Sequence, residues 1–142
     1  MERIVVGGDY TPAATAALRW AVAEAALTGA CVVVVHAFDP HQLPEQGRAL
    51  VVDRARRDDR YRTQSWVVEV LADMRASVPV VVSTPESPVE DALVDAGQRA
   101  QMIVIGRPRA RQHGGLAQHL AKRLPCPVLT VAGDDHVSLT AV

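Results

Sequence analysis

The run from Met102 to Val131, MIVIGRPRARQHGGLAQHLAKRLPCPVLTV, orders its residues as a phosphate site would: apolar strand, glycine, basic loop, paired glycines, amphipathic helix, proline-led strand. Met102 to Ile105 is a short continuous apolar run, as a parallel strand buried on both faces requires. Gly106 stands where such a strand releases the backbone. Gly114 and Gly115 precede a helix whose apolar positions Leu116, Ala117, Leu120, Ala121 and Leu124 keep helical spacing, so unpaired N–H groups at its start could face an anion. A tight turn that needs only backbone freedom would use the same glycines. Arg107, Arg109 and Arg111 offer guanidinium groups for bidentate contact with phosphate oxygens, or simply solvate a surface loop.

Other reactive residues form no recognisable set. Cys126 lies between Pro125 and Pro127 with no histidine fixed beside it, which suits a small buried hydrophobe better than a nucleophile. His36, near the end of an apolar run, reads as a hydrogen-bonded core residue. His113 and His119 are too far out of helical phase to share a face as a zinc pair would, and no thiolate cluster accompanies them. No G-x-S-x-G elbow, G-x4-G-K-[ST] loop or G-x-G-x-x-G fingerprint occurs. The reading is therefore of a protein that catalyses nothing itself and holds no metal.

The elements that must position these residues alternate between short apolar runs and helical patterns, the signature of a doubly wound α/β fold. Strands are expected near Arg3 to Val6, Cys31 to Ala37, Val78 to Ser83, Met102 to Ile105 and Val128 to Ala132, with four helices between them. Thr11 and Pro12 supply a cap and a first-turn proline for the first helix, whose inner face is Ala14, Ala17, Leu18, Ala21 and Ala25. Gly29 ends it. The second helix carries Val67, Val70, Leu71 and Met74, with a start anywhere from Gly47 to Arg60. Ser87, Pro88 and Glu90 predict a capping box for the third.

A chain of 142 residues fits one domain, a size at which folding buries about 70% of the unfolded surface. Aromatics make up 4% of the chain against 49% hydrophobic residues overall, so valine, alanine and leucine must fill the core. A net charge of -1 gives no general field for nucleic acid or an anionic membrane. The mixed run Arg54, Arg56, Arg57, Asp58, Asp59, Arg60, Arg62 suits a solvated helix face. No stretch reaches membrane-spanning length and MERIVVGGD lacks a secretion signal's apolar core, so the cytoplasm is the expected compartment.

Four segments resemble the universal stress protein family. That family's last third runs strand, G-x2-G-x9-G-[S/T], helix and a PCPVLVV-like strand; this chain ends LPCPVLTV, Leu124 to Val131. IVVGGDYTPAATAALRWA, Ile4 to Ala21, is similar to the opening strand, its aspartate and its helix, while VVVVHAF (Val32 to Phe38) and SPVEDAL (Ser87 to Leu93) resemble the second strand and third helix. The resemblance implies a Rossmann-like, five-stranded parallel sheet of order 3-2-1-4-5 with helices on both faces, over residues 1–133, followed by a tail, 134–142. In that order Cys31 and Cys126 start strands three spacings apart, roughly 14 Å, too far for a disulfide.

By the same resemblance Asp9 would contact adenine or ribose, Ala37 and Ile105 would line a base pocket, and Gly106, Arg109, Gly114 and Gly115 would lie near phosphates. Asp9 has a local alternative, ordering the turn before Thr11. The phosphate loop departs from the family: Arg109 occupies its second glycine position, only Ala110 to His113 precede Gly114, and Gly115 replaces the serine or threonine. The expected function is a small dimeric binding or regulatory protein with a degraded adenine-nucleotide site and no resident cofactor. The dimer would pair Val128 to Ala132 of two chains, as unpaired strand edges tend to do. ATP or another adenine nucleotide held by the three arginines is the alternative, and an enzyme on the related adenine-nucleotide scaffold is a further one.

Overall fold

The computed structural model describes residues 1–107 and 115–140. In it the apolar runs become β1 (Arg3–Gly7), β2 (Cys31–Val35), β3 (Val80–Ser83), β4 (Met102–Gly106) and β5 (Val128–Val131), and the helical patterns become α1 (Pro12–Thr28), α2 (Arg48–Met74), α3 (Val89–Gly97) and α4 (Gly115–Arg123). The helix ends follow local chemistry. Thr11 accepts from the Ala14 N–H at 3.1 Å, Pro12 opens α1, and Gly29 (φ 77) closes it by donating to Ala25. α2 runs from Arg48 without an interior glycine or proline, and buries only Thr63, Val67 and Val70. Its first half is solvated.

Two sequence-based expectations need correction. The sheet has six strands, ordered β3-β2-β1-β4-β5-β6, because the segment expected to be a tail contributes β6 (Val137–Leu139), antiparallel to β5. A turn through Gly133 to Asp135 makes this reversal: Ala132 donates to His136 at 2.9 Å and Asp135 takes a left-handed φ of 70. The outer edge of Val128–Val131 is thereby paired within the chain, so a dimer seam on that edge is incompatible with the folded-back tail. The capping box also fails to form. Ser87 donates to the Pro88 carbonyl instead, and Glu90 turns to α4, where Arg123 (2.7 Å) and His119 (3.0 Å) meet it. The Arg123 guanidinium, and then His119, hold the Glu90 carboxyl below its ordinary pKa.

Parallel strands bury both faces, and their alternation divides the core. Ile4, Val6, Val32, Val34 and Val104 face α1 and α2, with Leu18, Val22, Val67 and Val70 opposite them. Val5, Val35, Ile103, Ile105 and Val128 face α3 and α4, against Leu93, Ala117 and Leu120. Leu18 and Leu120 are 0% exposed, and each such burial stabilises by about 1.5–3 kcal/mol. Alanines such as Ala14, Ala17 and Ala21 let α1 lie close to the sheet. That closeness shapes the ligand edge.

Candidate functional site

β1 and β4 are neighbours whose chain connections run in opposite directions, so the carboxyl ends of these strands form the switch point at which doubly wound sheets take ligands. Asp9 and Gly106 meet at this edge, as expected. Their side-chain environments serve the fold first. The exposed Asp9 Oδ1 accepts from Thr11 N–H at 3.1 Å and from the Thr11 hydroxyl at 2.6 Å, while that hydroxyl accepts from Ala14. This chain of bonds orders the turn into α1. A Cβ on Gly106 would lie 2.6 Å from Ala14 N and 2.7 Å from the Ala13 carbonyl carbon, so the backbone brought close to this glycine is the start of α1.

Ala37 is half-buried and Ile105 buried, both packed with the α3–α4 side of the core. Gly115 opens α4, with His119 Cε1 at 3.9 Å the nearest atom among the described residues to its would-be Cβ. Arg107 is exposed and donates its backbone N–H to Val131 at 2.7 Å. Arg109, Arg111, His113 and Gly114 lie outside the described residues. Among the described residues no group of three or more histidine, cysteine, aspartate or glutamate side chains is placed to hold a metal ion.

The sequence reading missed a group of polar and aromatic contacts at this edge. Tyr10 has φ 64, a left-handed conformation for a bulky side chain, which costs on the order of 1–3 kcal/mol. It is held there by three neighbours. Its ring stacks on His36 (centroids 5.1 Å, planes 29° apart), meets Trp66 edge-on (5.8 Å, 84°), and its hydroxyl lies 2.6 Å from Thr63 Oγ1. An aromatic pair contributes roughly 0.5–1.5 kcal/mol and a hydrogen bond about 1 kcal/mol, enough together to offset the strain. Burial first, opposed by the Thr63 bond, raises the Tyr10 phenol above its ordinary pKa, so the hydroxyl keeps its proton.

Each partner is itself anchored. His36 Nδ1 lies 2.6 Å from the Gly8 carbonyl, which requires the proton on that nitrogen, and Nε2 lies 3.3 Å from Asp59 Oδ2. Trp66 donates from Nε1 to Thr15 Oγ1 at 3.0 Å, and its ring lies 3.1 Å from where a Gly8 Cβ would be. Asp59, Thr63 and Trp66 recur at i, i+4, i+7 along α2, a spacing that marks one helix face. That spacing was the available signal. Two open grooves elsewhere on α2, one lined by Asp58, Tyr61, Arg62 and Ser65 and the other by Asp53, Arg56, Arg57, Arg60 and Thr84, include none of the switch-point residues.

Cys31 and Cys126 are free thiols, as their separation in the sheet predicts. Burial raises the Cys126 thiol above its ordinary pKa, and Sγ lies 3.6 Å from the Gly97 carbonyl. A raised pKa lowers the thiolate fraction at neutral pH. Iodoacetamide at pH 8, followed by peptide mapping, should therefore label Cys126 more slowly than a small free thiol. Labelling as fast as the free thiol would restore the nucleophile reading.

A doubly wound sheet with its ligand edge at a β1–β4 switch point defines the class of Rossmann-like domains. The chain belongs to the universal stress protein family, whose model matches residues 1–132. A universal stress protein of Mycobacterium tuberculosis strain H37Rv is 31% identical, over 94% of this chain and 48% of the relative. The chain thus spans about half the length of that relative. Its fold is similar to a universal stress protein from Archaeoglobus fulgidus solved in complex with dAMP (TM-score 0.65, 23% identity, 92% of this chain and 97% of that one). It is also similar to a universal stress protein solved in complex with cAMP (TM-score 0.66, 19% identity, 93% and 97%). Among the described residues no helix is long and apolar enough to cross a membrane.

Proposed function

We propose that this chain is a small binding or regulatory protein of the cytoplasm whose adenine-nucleotide site is degraded and which performs no catalysis. The observation that carries the reading is the contact between Gly106 and the start of α1: the backbone that a phosphate would approach is already occupied by Ala13 and Ala14. Arg109 at a position where the family has glycine, and the shortened loop after it, point the same way. Calorimetry with ATP is the test. The expected result is no saturable binding at micromolar concentrations; saturable micromolar binding that disappears in Asp9→Ala would reject the reading.

A second reading keeps nucleotide binding, favoured by the dAMP and cAMP bound in the two fold neighbours. In it Arg107, Arg109 and Arg111 hold the phosphates through side chains instead of loop backbone. Loss of ATP binding in Arg107→Ala or Arg109→Ala distinguishes this reading from one in which the helix start at Gly115 holds the anion.

A further inference from the structure

The slot that Tyr10 fills has the makings of a base site without its ligand. Its floor is the His36 imidazole, its side is the edge of Trp66, and its far end carries the Thr63 hydroxyl and the Asp59 carbonyl, both within reach of the Tyr10 hydroxyl at 2.6 and 3.4 Å. A flat ring with a polar tip satisfies all of these surfaces, and Tyr10 supplies one. Tyr10 and His36 lie just past the carboxyl ends of β1 and β2, the side of a doubly wound sheet on which ligands collect. The slot's occupant comes from a turn whose neighbours Asp9 and Thr11 are exposed, and it is reached only through a left-handed backbone at Tyr10. A strained residue with exposed neighbours can leave without unfolding the core, and leaving relieves its strain.

We infer that Tyr10 is an internal occupant of a slot for the planar base of a nucleoside or nucleotide, and that ligand affinity is set by competition between that base and the Tyr10 ring. This inference rests on the adenine-nucleotide reading of the edge but concerns the base, not the phosphates, and seats that base on the α1–α2 side of the sheet instead of beside Ala37 and Ile105. When Tyr10 is out, a purine stacks on His36 and meets the edge of Trp66; when it is in, the slot is closed. A ligand that binds only the open form has its apparent affinity reduced by the open fraction. Tyr10 therefore decides whether the site is available.

Adenosine is the suitable probe because it carries no phosphate and so leaves the shortened loop out of the measurement. In a Trp20→Phe background, where Trp66 is the sole tryptophan, adenosine binding is read by Trp66 fluorescence and by calorimetry. Tyr10→Gly is expected to bind adenosine about tenfold more tightly than the background protein, the gain when roughly a tenth of molecules are open with Tyr10 present. Glycine accepts the left-handed backbone, so the variant should fold. Thr63→Val, which retains Tyr10 and removes its hydroxyl partner, should give a smaller gain. Equal adenosine affinities in the background and Tyr10→Gly proteins would overturn the inference, as would an unchanged affinity in Thr63→Val should Tyr10→Gly fail to fold. Tight ATP binding by the unaltered chain would instead overturn the degraded-site reading, whatever the adenosine ratio, so the two failures are distinguishable.

Discussion

Gly106→Ala is expected to destabilise the domain by roughly 3 kcal/mol, the upper part of the usual overpacking range, and so to lower Tm by about 10 °C in a chain of this size. The added Cβ would sit 2.6 Å from Ala14 N and 3.0 Å from Ala13 Cβ. Neither neighbour is the yielding end of a flexible side chain. Relief requires α1 to move off β4, yet α1 is held by Ala17, Leu18 and Ala21, all 0% exposed. Gly115→Ala is the control. Among the described residues its Cβ meets nothing closer than 3.9 Å, and alanine favours helix over glycine, so stability should hold or rise by a few tenths of a kcal/mol. Thermal melts of the two variants decide the matter. A Gly106→Ala protein that melts with its parent would mean the glycine is there for a ligand and not for α1.

Removing residues 134–142 is expected to convert this edge of the sheet from closed to self-associating. β6 pairs Leu129 with Leu139, Thr130 with Ser138 and Val131 with Val137, and Thr140 donates to Val128 at 2.9 Å. Without it an apolar strand presents unpaired N–H and C=O groups and invites a second copy in antiparallel pairing. Light scattering at tens of micromolar should show the truncated chain heavier than the full one. Thr130→Pro within the truncated chain supplies the control. Val128 accepts from Thr140 and Ala132 donates to His136 across this edge, so the intervening Thr130 N–H also points outward, whereas Leu129 faces β4. Proline at Thr130 should thus abolish pairing and spare the inner ladder. Equal masses for the truncated and full chains would show that the tail does not guard the edge.

The α/β class, the order of the first five strands and the inner face of α1 were legible in the sequence because they depend on local periodicity and on a family resemblance. Ile4 to Val6, Val32 to Val35 and Met102 to Ile105 are apolar throughout, which a parallel strand covered on both faces demands. Thr11, Pro12 and Gly29 are signals that act within one turn of chain, and they fell where expected. The hairpin to β6 was also written locally, in Gly133 to Asp135, but three residues of β6 are too short a run to stand out from a tail.

Only the tertiary structure decided what the ligand edge contains. Asp9 is the expected residue in the expected place, yet its partner Thr11 is two positions away, so composition alone could not choose between ligand and turn. Gly106 was read as room for a phosphate, and what fills that room is α1, brought there by packing between Ala14, Ala17 and the sheet. Nothing in the sequence around Tyr10 marks it out. Its left-handed backbone is sustained by Thr63, 53 residues later, by Trp66 on the same helix and by His36 just past β2. A local propensity carries no trace of such partners, because the energy that offsets the strain exists only after β1, β2 and α2 have met.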